Sequence, residues 1–391
     1  MPSHEIGVVS SPAAAAALLP EWEALFAAAG CSDPFAQPRW QLTWARHFVR
    51  PGELVLLTAR SAGELVGVAP FYRRALRLGT GRDAPPAVTV LGLLGAGRRP
   101  HLTELPAVLT RPDCSRSVLR ELFRHLEREQ PWDWLEVTLA PEQGWFEPHW
   151  LPAATNGARA GAEPSVALHK ATRACVVLPL ADTWDETARG LKHNVRESIR
   201  RGVNRLRRDG HAWRVAWGGE DVSLSAALDT VVALEGARAG LDGRPHHAAR
   251  FDDGADRRFL GDVAGQLAAR GAVVPCVLEV DGRPAAARLV LRANGTVYFF
   301  ASGSDPAWWD QGVPTTLMVE CLKRAIAGGD RRANLSTGID VSKLRWSEDL
   351  ALWQDFVVVR GRTRSRLAFG VWWQLRAAGL LGRERALRGY R

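Results

Sequence analysis

The chain has 391 residues, 46% of them hydrophobic and 24% charged. That is enough apolar material for the cores of two or three domains and argues against a disordered chain. Five cysteines, at 31, 114, 175, 276 and 321, are odd in number and form no CxxC pair, which argues against a disulfide framework and fits a reducing cytosol. No apolar stretch reaches the length of about eighteen residues that a membrane span needs. The short run Ala13–Leu19 has no basic residue before it and ends at Pro20-Glu21, so it does not make a signal peptide, and the expected location is cytoplasmic.

The basic residues are unevenly placed. Of the 51 Lys and Arg, only Lys170, Lys192, Lys323 and Lys343 are lysines, so arginine is the default and each lysine stands out. Residues 189–208 carry +7 and residues 360–391 carry +8, while the net charge of the whole is +9, which leaves the rest at −6. A mildly acidic globule with two basic segments suits phosphate-bearing partners or an anionic surface.

In chain order, residues 12–29 predict a helix and 41–49 a second. Strands at 54–59 and 65–74 around the turn 61–64 form a hairpin, and 87–94 is a third strand. A Gly/Pro/Arg loop (77–86) precedes that third strand, a Gly/Arg loop (95–100) follows it, and a helix at 115–129 and a strand at 134–139 complete the series. Residues 153–163, rich in Ala and Gly, read as a linker. A strand at 170–178 leads to one long helix, 184–208, whose apolar stripe is Leu191, Val195, Ile199, Val203 and Leu206. Lys192, Arg196 and Arg200 form a basic stripe beside it. A helix at 223–239 follows, and 240–256, with His246-His247, reads as a long irregular lid. Strands at 273–280, 284–292 and 296–302 are joined by the turns Asp281-Gly282 and Asn294-Gly295. A helix at 315–327 and a strand at 333–336 repeat the order of the first half, offset by roughly 220 residues at the hairpin. The repeat predicts a tandem α/β protein with mixed sheets: residues 1–160, residues 161–360, and an Arg-rich helical tail at 361–391.

The stretch from Gly295 to Trp346 carries the chemistry. A strand, a Gly/Asp/Trp loop, a helix opened by Gly312-Val313-Pro314 and a short strand are how a fold presents backbone N–H groups to an anion. The spacing is neither a Walker loop nor a dinucleotide fingerprint. His246-His247 has no Cys, His or acid at ligand spacing, so no metal is expected. There is no Gly-x-Ser-x-Gly elbow, and Cys276 and Cys321 lie in apolar runs that read as packing, so covalent catalysis is not expected.

Tyr298–Gly312 (YFFASGSDPAWWDQG), followed by Gly338-x-Asp340-x-x-Lys343-x-x-Trp346, resembles GNAT-superfamily acetyltransferases of the BioF2-like and CelD-like kind, relatives of the FemABX peptidyltransferases. Trp22, Asp33-Pro34-Phe35, Pro38-x-Trp40 and Leu65–Phe71 agree, and the resemblance spans about residues 20 to 360. It implies two GNAT-like domains and transfer of an acyl group to an amine by direct attack in a ternary complex. Lys343 then lies at the transfer centre, and Asp340 is the candidate base. Gly303, Gly312, Val313 and Thr315 are the candidate donor cradle. Lys192, Arg196, Arg200, Ser302, Asp305, Trp309 and Trp346 are the candidate substrate contacts.

The usual acyl-CoA loop, Gln/Arg-x-x-Gly-x-Gly/Ala, is replaced here by Trp309-Asp310-Gln311-Gly312-Val313-Pro314. The expected donor is acetyl-CoA or another acyl-CoA, with aminoacyl-tRNA as the alternative and a non-catalytic interaction protein as the third reading. The acceptor is a small, nucleotide-linked or lipid-linked amine. The tail either caps the globule through Leu367, Val371, Trp372 and Leu375 or rests on an anionic membrane.

Overall fold

The computed structural model describes residues 4–76, 88–143, 164–239 and 250–377. The expected loop at 77–86, the linker at 153–163, most of the expected lid with His246 and His247, and the tail beyond 377 lie outside the described residues. The chain divides into two compact units, one holding residues up to 173 together with the segment from 352, the other residues 174–351.

The first unit begins with β1 (Glu5–Val9), α1 (Pro12–Ala17), α2 (Leu19–Ala28) and α3 (Pro38–Phe48). β2 (Leu54–Ser61), β3 (Glu64–Leu76), β4 (Val88–Leu93), β5 (Leu109–Thr110), α4 (Ser115–Glu129) and β6 (Trp134–Leu139) follow. The predicted helix 12–29 is two helices, because Pro20 sits in the first turn of α2 and cannot continue α1. β2, β3 and β4 form an antiparallel meander, and β6 returns parallel to β4 after α4. Helix α4 buries Val118, Leu119, Leu122, Phe123 and Leu126 on one face, against Val55, Leu57, Val66 and Leu135 of the sheet.

β7 (Val166–Pro179) runs from the first unit into the second. The second unit continues with α5 (Trp184–Gly190), α6 (His193–Arg208), β8 (Trp213–Trp217), α7 (Leu224–Ala239) and α8 (Gly254–Ala268). Then come β9 (Val273–Val280), β10 (Arg283–Ala293), β11 (Thr296–Ser304), α9 (Val313–Ala327), β12 (Arg332–Thr337) and the one-turn α10 (Val341–Leu344). Its sheet runs β7-β12-β11-β10-β9-β8. The meander β9-β10-β11, then α9, then β12 parallel to β11, is the topology of β2-β3-β4-α4-β6 again. The mixed α/β fold and its internal repeat are therefore as the sequence predicts.

Three features depart from it. The predicted helix 184–208 breaks at Leu191-Lys192, whose backbone is extended, so Lys192 is the N-cap of α6 and not part of a stripe. The end of the expected irregular segment is helix: α8 begins at Gly254, and Asp253 caps it by accepting from Ala255 N–H at 2.7 Å. Finally, β13 (Leu350–Val359) and α11 (Thr363–Ala377) return to the first unit, where the predicted ranges gave residues up to 360 to the second. Gln354 and Asp355 obscure β13 in the sequence. Both are buried because they are paired: Asp355 takes Thr138 Oγ1 and Arg173 Nε, each at 2.7 Å.

Helix α11 caps the first unit through Trp372, one of the residues expected, and through Phe369, which was not. Phe369 and Trp372 are buried, each with its ring centroid 5.4 Å from that of Trp134, while Leu367 is 67% and Val371 51% exposed. Among the described residues no helix is long and apolar enough to cross a membrane.

Glu136 on β6 meets Arg74 at 2.9 Å and Lys170 at 3.6 Å. Burial alone would raise its carboxyl, but Arg74, Lys170 and Arg376 outweigh it and hold the pKa at about 2. A carboxyl depressed in the folded state adds stability above its unfolded pKa of about 4.3 and loses it as the pH falls towards the folded value. Glu136→Gln should cost about 3 kcal/mol at pH 7, and the difference from the parent should shrink as the pH drops from about 4 to 2. Urea unfolding across that range measures both.

Candidate active site

β11 and β12 pair only at Thr296–Tyr298 with Arg332–Asn334 and then part. Each is bulged at that point. On β11 the register against β10 passes from Phe299 to Ala301 in one step, leaving Phe300 extra. On β12, Leu335 and Ser336 lie between the partners of Val177 and Cys175, and Ser336 is left-handed at φ 71°. A left-handed serine is held only where its surroundings fix it. Asn334 Oδ1 accepts from Ser336 N–H at 3.0 Å. Lys343 Nζ donates to the carbonyls of Ser336, Thr337 and Gly338 at 3.3, 2.5 and 3.3 Å. Two parallel strands that separate at their carboxyl ends make a notch, the place where open α/β sheets take ligands.

The N-terminus of α9 lies beside this notch. Gly312, left-handed at φ 71°, is its N-cap, and Pro314 occupies the first turn. Helix α6 crosses this end at close range: a Cβ on Gly202 would stand 3.3 Å from both Gln311 O and Thr316 Oγ1, so a larger residue there would push its neighbours back by a few tenths of an ångström. Between them is a cavity of about 300 Å³ lined by Ser198, Arg201, Arg205, Trp309, Pro314 and Thr315, among others. Arg205 Nη1 donates to Asp310 O, and Trp309 Nε1 donates to Ser304 Oγ at 2.9 Å. Two guanidinium groups, a helix N-terminus and hydroxyls on one cavity make a site for a phosphate or diphosphate.

The expected residues divide. Gly312, Val313, Thr315 and Trp309 belong to the helix start and its loop, and three of them line the cavity: Gly312, Thr315 and Trp309. Lys343 is at the notch, but its ammonium protons are directed at three carbonyls, so it holds the turn. Asp340 is exposed and caps α10, accepting from Lys343 N–H at 3.1 Å and from Ser342 Oγ. Asp305 caps the next turn, accepting from Ala307 N–H at 2.9 Å. Ser302 lies on β11 opposite Arg288. Trp346 is buried in the core of the second unit. Gly303 has a packing role: a Cβ there would lie 2.2 Å from Leu234 C and 2.3 Å from Glu235 N, in the backbone of α7.

The basic stripe is displaced. Lys192 pairs with Glu348 at 2.6 Å and Arg200 with Glu197 at 3.0 Å, and Arg196 is exposed. The face of α6 on the cavity is Ser198, Arg201, Gly202 and Arg205. Its signal in the sequence was the glycine in mid-helix. Sequence reasoning also missed Arg345, whose Nη2 donates to Thr315 Oγ1 at 3.2 Å. Burial pushes its guanidinium pKa below the ordinary value, and its ring neighbour Trp346 is 5.7 Å away. Among the described residues no group of three His, Cys, Asp or Glu could hold a metal.

Residues 193–343 match the family of acetyltransferase (GNAT) domains. No curated protein matches the chain. Among solved structures, FemX is similar in fold, with 9% identity and a TM-score of 0.60 over 93% of this chain and 99% of that one. A conserved protein of unknown function from Bacteroides thetaiotaomicron VPI-5482 has 11% identity and a TM-score of 0.51, covering 91% and 100%. L-PGS from Bacillus licheniformis has 11% identity and a TM-score of 0.50, covering 96% and 99%. At these identities the likeness is one of fold.

Proposed function

We propose that this chain, which carries a GNAT domain match and a FemX-like fold, is a transferase that moves an acyl group from acyl-CoA, acetyl-CoA first among these, to an amine. The observation that carries the reading is the parting of β11 and β12 beside the N-terminus of α9, with Arg201 and Arg205 on the adjoining cavity. The diphosphate sits on the two arginines beside the helix start, where their positive charge meets the Thr315 side of the cavity. The acyl arm extends towards the notch. There the bulge at Phe300 frees β11 from its regular ladder, so a backbone N–H can meet the carbonyl oxygen as it becomes anionic. The amine attacks directly and the thiolate of CoA leaves. The transferase works in the cytoplasm, and its acceptor is a small, nucleotide-linked or lipid-linked amine.

Lys343 is a positioning residue in this reading. Its ammonium ties three carbonyls and so fixes the β12 side of the notch. Displacing a reacting group by about 1 Å costs on the order of a hundredfold in rate. Lys343→Ala should therefore lower kcat about a hundredfold with donor affinity little changed, and Lys343→Arg should not restore it, because a flat guanidinium cannot reach three successive carbonyls as an ammonium does. Release of free CoA thiol from acetyl-CoA in the presence of a panel of amines measures this. No thiol release with any amine would count against the acyl-CoA reading.

One observation favours a second donor. Pro314 removes an N–H from the first turn of α9, and the N–H groups of Thr315 and Thr316 are turned back to Gly312 O at 3.0 and 3.1 Å. An aminoacyl ester on tRNA needs less of a diphosphate cradle, and the exposed arginines of α6 suit an RNA backbone. Transfer from charged tRNA with none from acetyl-CoA selects this reading.

A further inference from the structure

Helix α9 has a second cavity at its other end. It measures about 330 Å³ and is lined by Trp217, Leu224, Val273, Val290, Cys321 and Ala325, among others. Arg324 lies on its wall, 4.3 Å from the centre of the Trp217 ring and paired with Glu220. Cys321 is 5% exposed and Cys276, on β9, is fully buried. Their Sγ atoms are 3.3 Å apart, and Cys276 Sγ also lies 3.6 Å from Arg288 O. An S–S bond of about 2 Å needs the sulfurs to close by little more than 1 Å.

We propose that Cys276 and Cys321 are a peroxide-oxidised pair, with the cavity as the entrance and Cys321 as the first thiol attacked. Cys321 sulfur takes one oxygen of hydrogen peroxide, giving a sulfenic acid and one water. Cys276 sulfur then attacks the Cys321 sulfur, and the hydroxyl leaves with the Cys276 proton as a second water. Two thiols and one peroxide become one disulfide and two waters. The order follows from the surroundings. Cys321 is on the cavity wall, where peroxide can reach it, whereas Cys276 is fully buried with its sulfur 3.3 Å from that of Cys321 and so acts second. The bond would tie β9 to the helix whose first turn carries Gly312, Pro314 and Thr315, and the inference does not depend on which donor that site takes.

The test is oxidation of the native protein with hydrogen peroxide, alkylation, and peptide mapping without reductant. A dithiol-reversible Cys276–Cys321 cross-link is expected. Closing a 45-residue separation should also raise the unfolding temperature by about 5 °C or more. Cys276→Ala should leave a sulfenic acid on Cys321 that a cyclic 1,3-diketone traps. Oxidation confined to Cys31 and Cys114, or oxygen addition at Cys321 without a cross-link in the native protein, overturns the proposal. Mapping of the native chain decides it even where a variant fails to fold.

Discussion

Gly303→Val is expected to destabilise the second unit by about 4 kcal/mol or more, a large part of what a domain has. The reason is a backbone contact. The smallest side chain at this position would overlap the peptide between Leu234 and Glu235 at 2.2–2.3 Å. A flexible side chain could swing aside, but a helix backbone moves only as a whole. α7 would have to lift from β11 and β10, the strands it covers. Overpacking in cores costs about 1–3 kcal/mol where side chains absorb it, and more where they cannot. Urea unfolding should show the midpoint fall with helix signal lost early. Gly295→Ala, in an exposed turn with open space around the glycine, should cost much less, its φ of 71° setting a smaller strain.

The double variant Arg201→Ala/Arg205→Ala should weaken donor binding by two to three orders of magnitude, since each charge-assisted contact to phosphate contributes about 1.5–3 kcal/mol. Both side chains are exposed on the cavity wall, so folding should hardly change. The parent's affinity should fall as salt rises and the variant's should not, because ions screen exposed charges over about 10 Å at 0.1 M. Arg196→Ala/Arg200→Ala is the matching control on the neighbouring face and should have little effect. Isothermal titration with acetyl-CoA at two ionic strengths checks all three statements.

The two arginine pairs show how far the sequence could be read. Helical spacing separated an apolar stripe from a basic one, but two stripes of arginine lie on α6 and spacing does not say which faces the partner. Gly202 decides it, and its meaning depends on Gly312, more than a hundred residues away, which approaches it in space. The same limit applies to Lys343. The motif placed it at the end of β12, but only the fold shows its ammonium committed to the carbonyls of Ser336, Thr337 and Gly338. The meanders were legible because Asp281-Gly282 and Asn294-Gly295 are local signals, and the structure sets Asp281 and Asn294 at positive φ as such turns require. β13 was not legible. Its place beside β6 is a pairing across more than two hundred residues, and its polar Gln354 and Asp355 hide the strand pattern.

Hydrogen exchange of the native chain with and without acetyl-CoA tests most directly whether the N-terminus of α9 and the facing side of α6 form the donor site. Slower exchange is predicted in peptides covering residues 198–205 and 309–316, lost in Arg201→Ala/Arg205→Ala. Bound acetyl-CoA that leaves both segments unchanged while protecting others would contradict it.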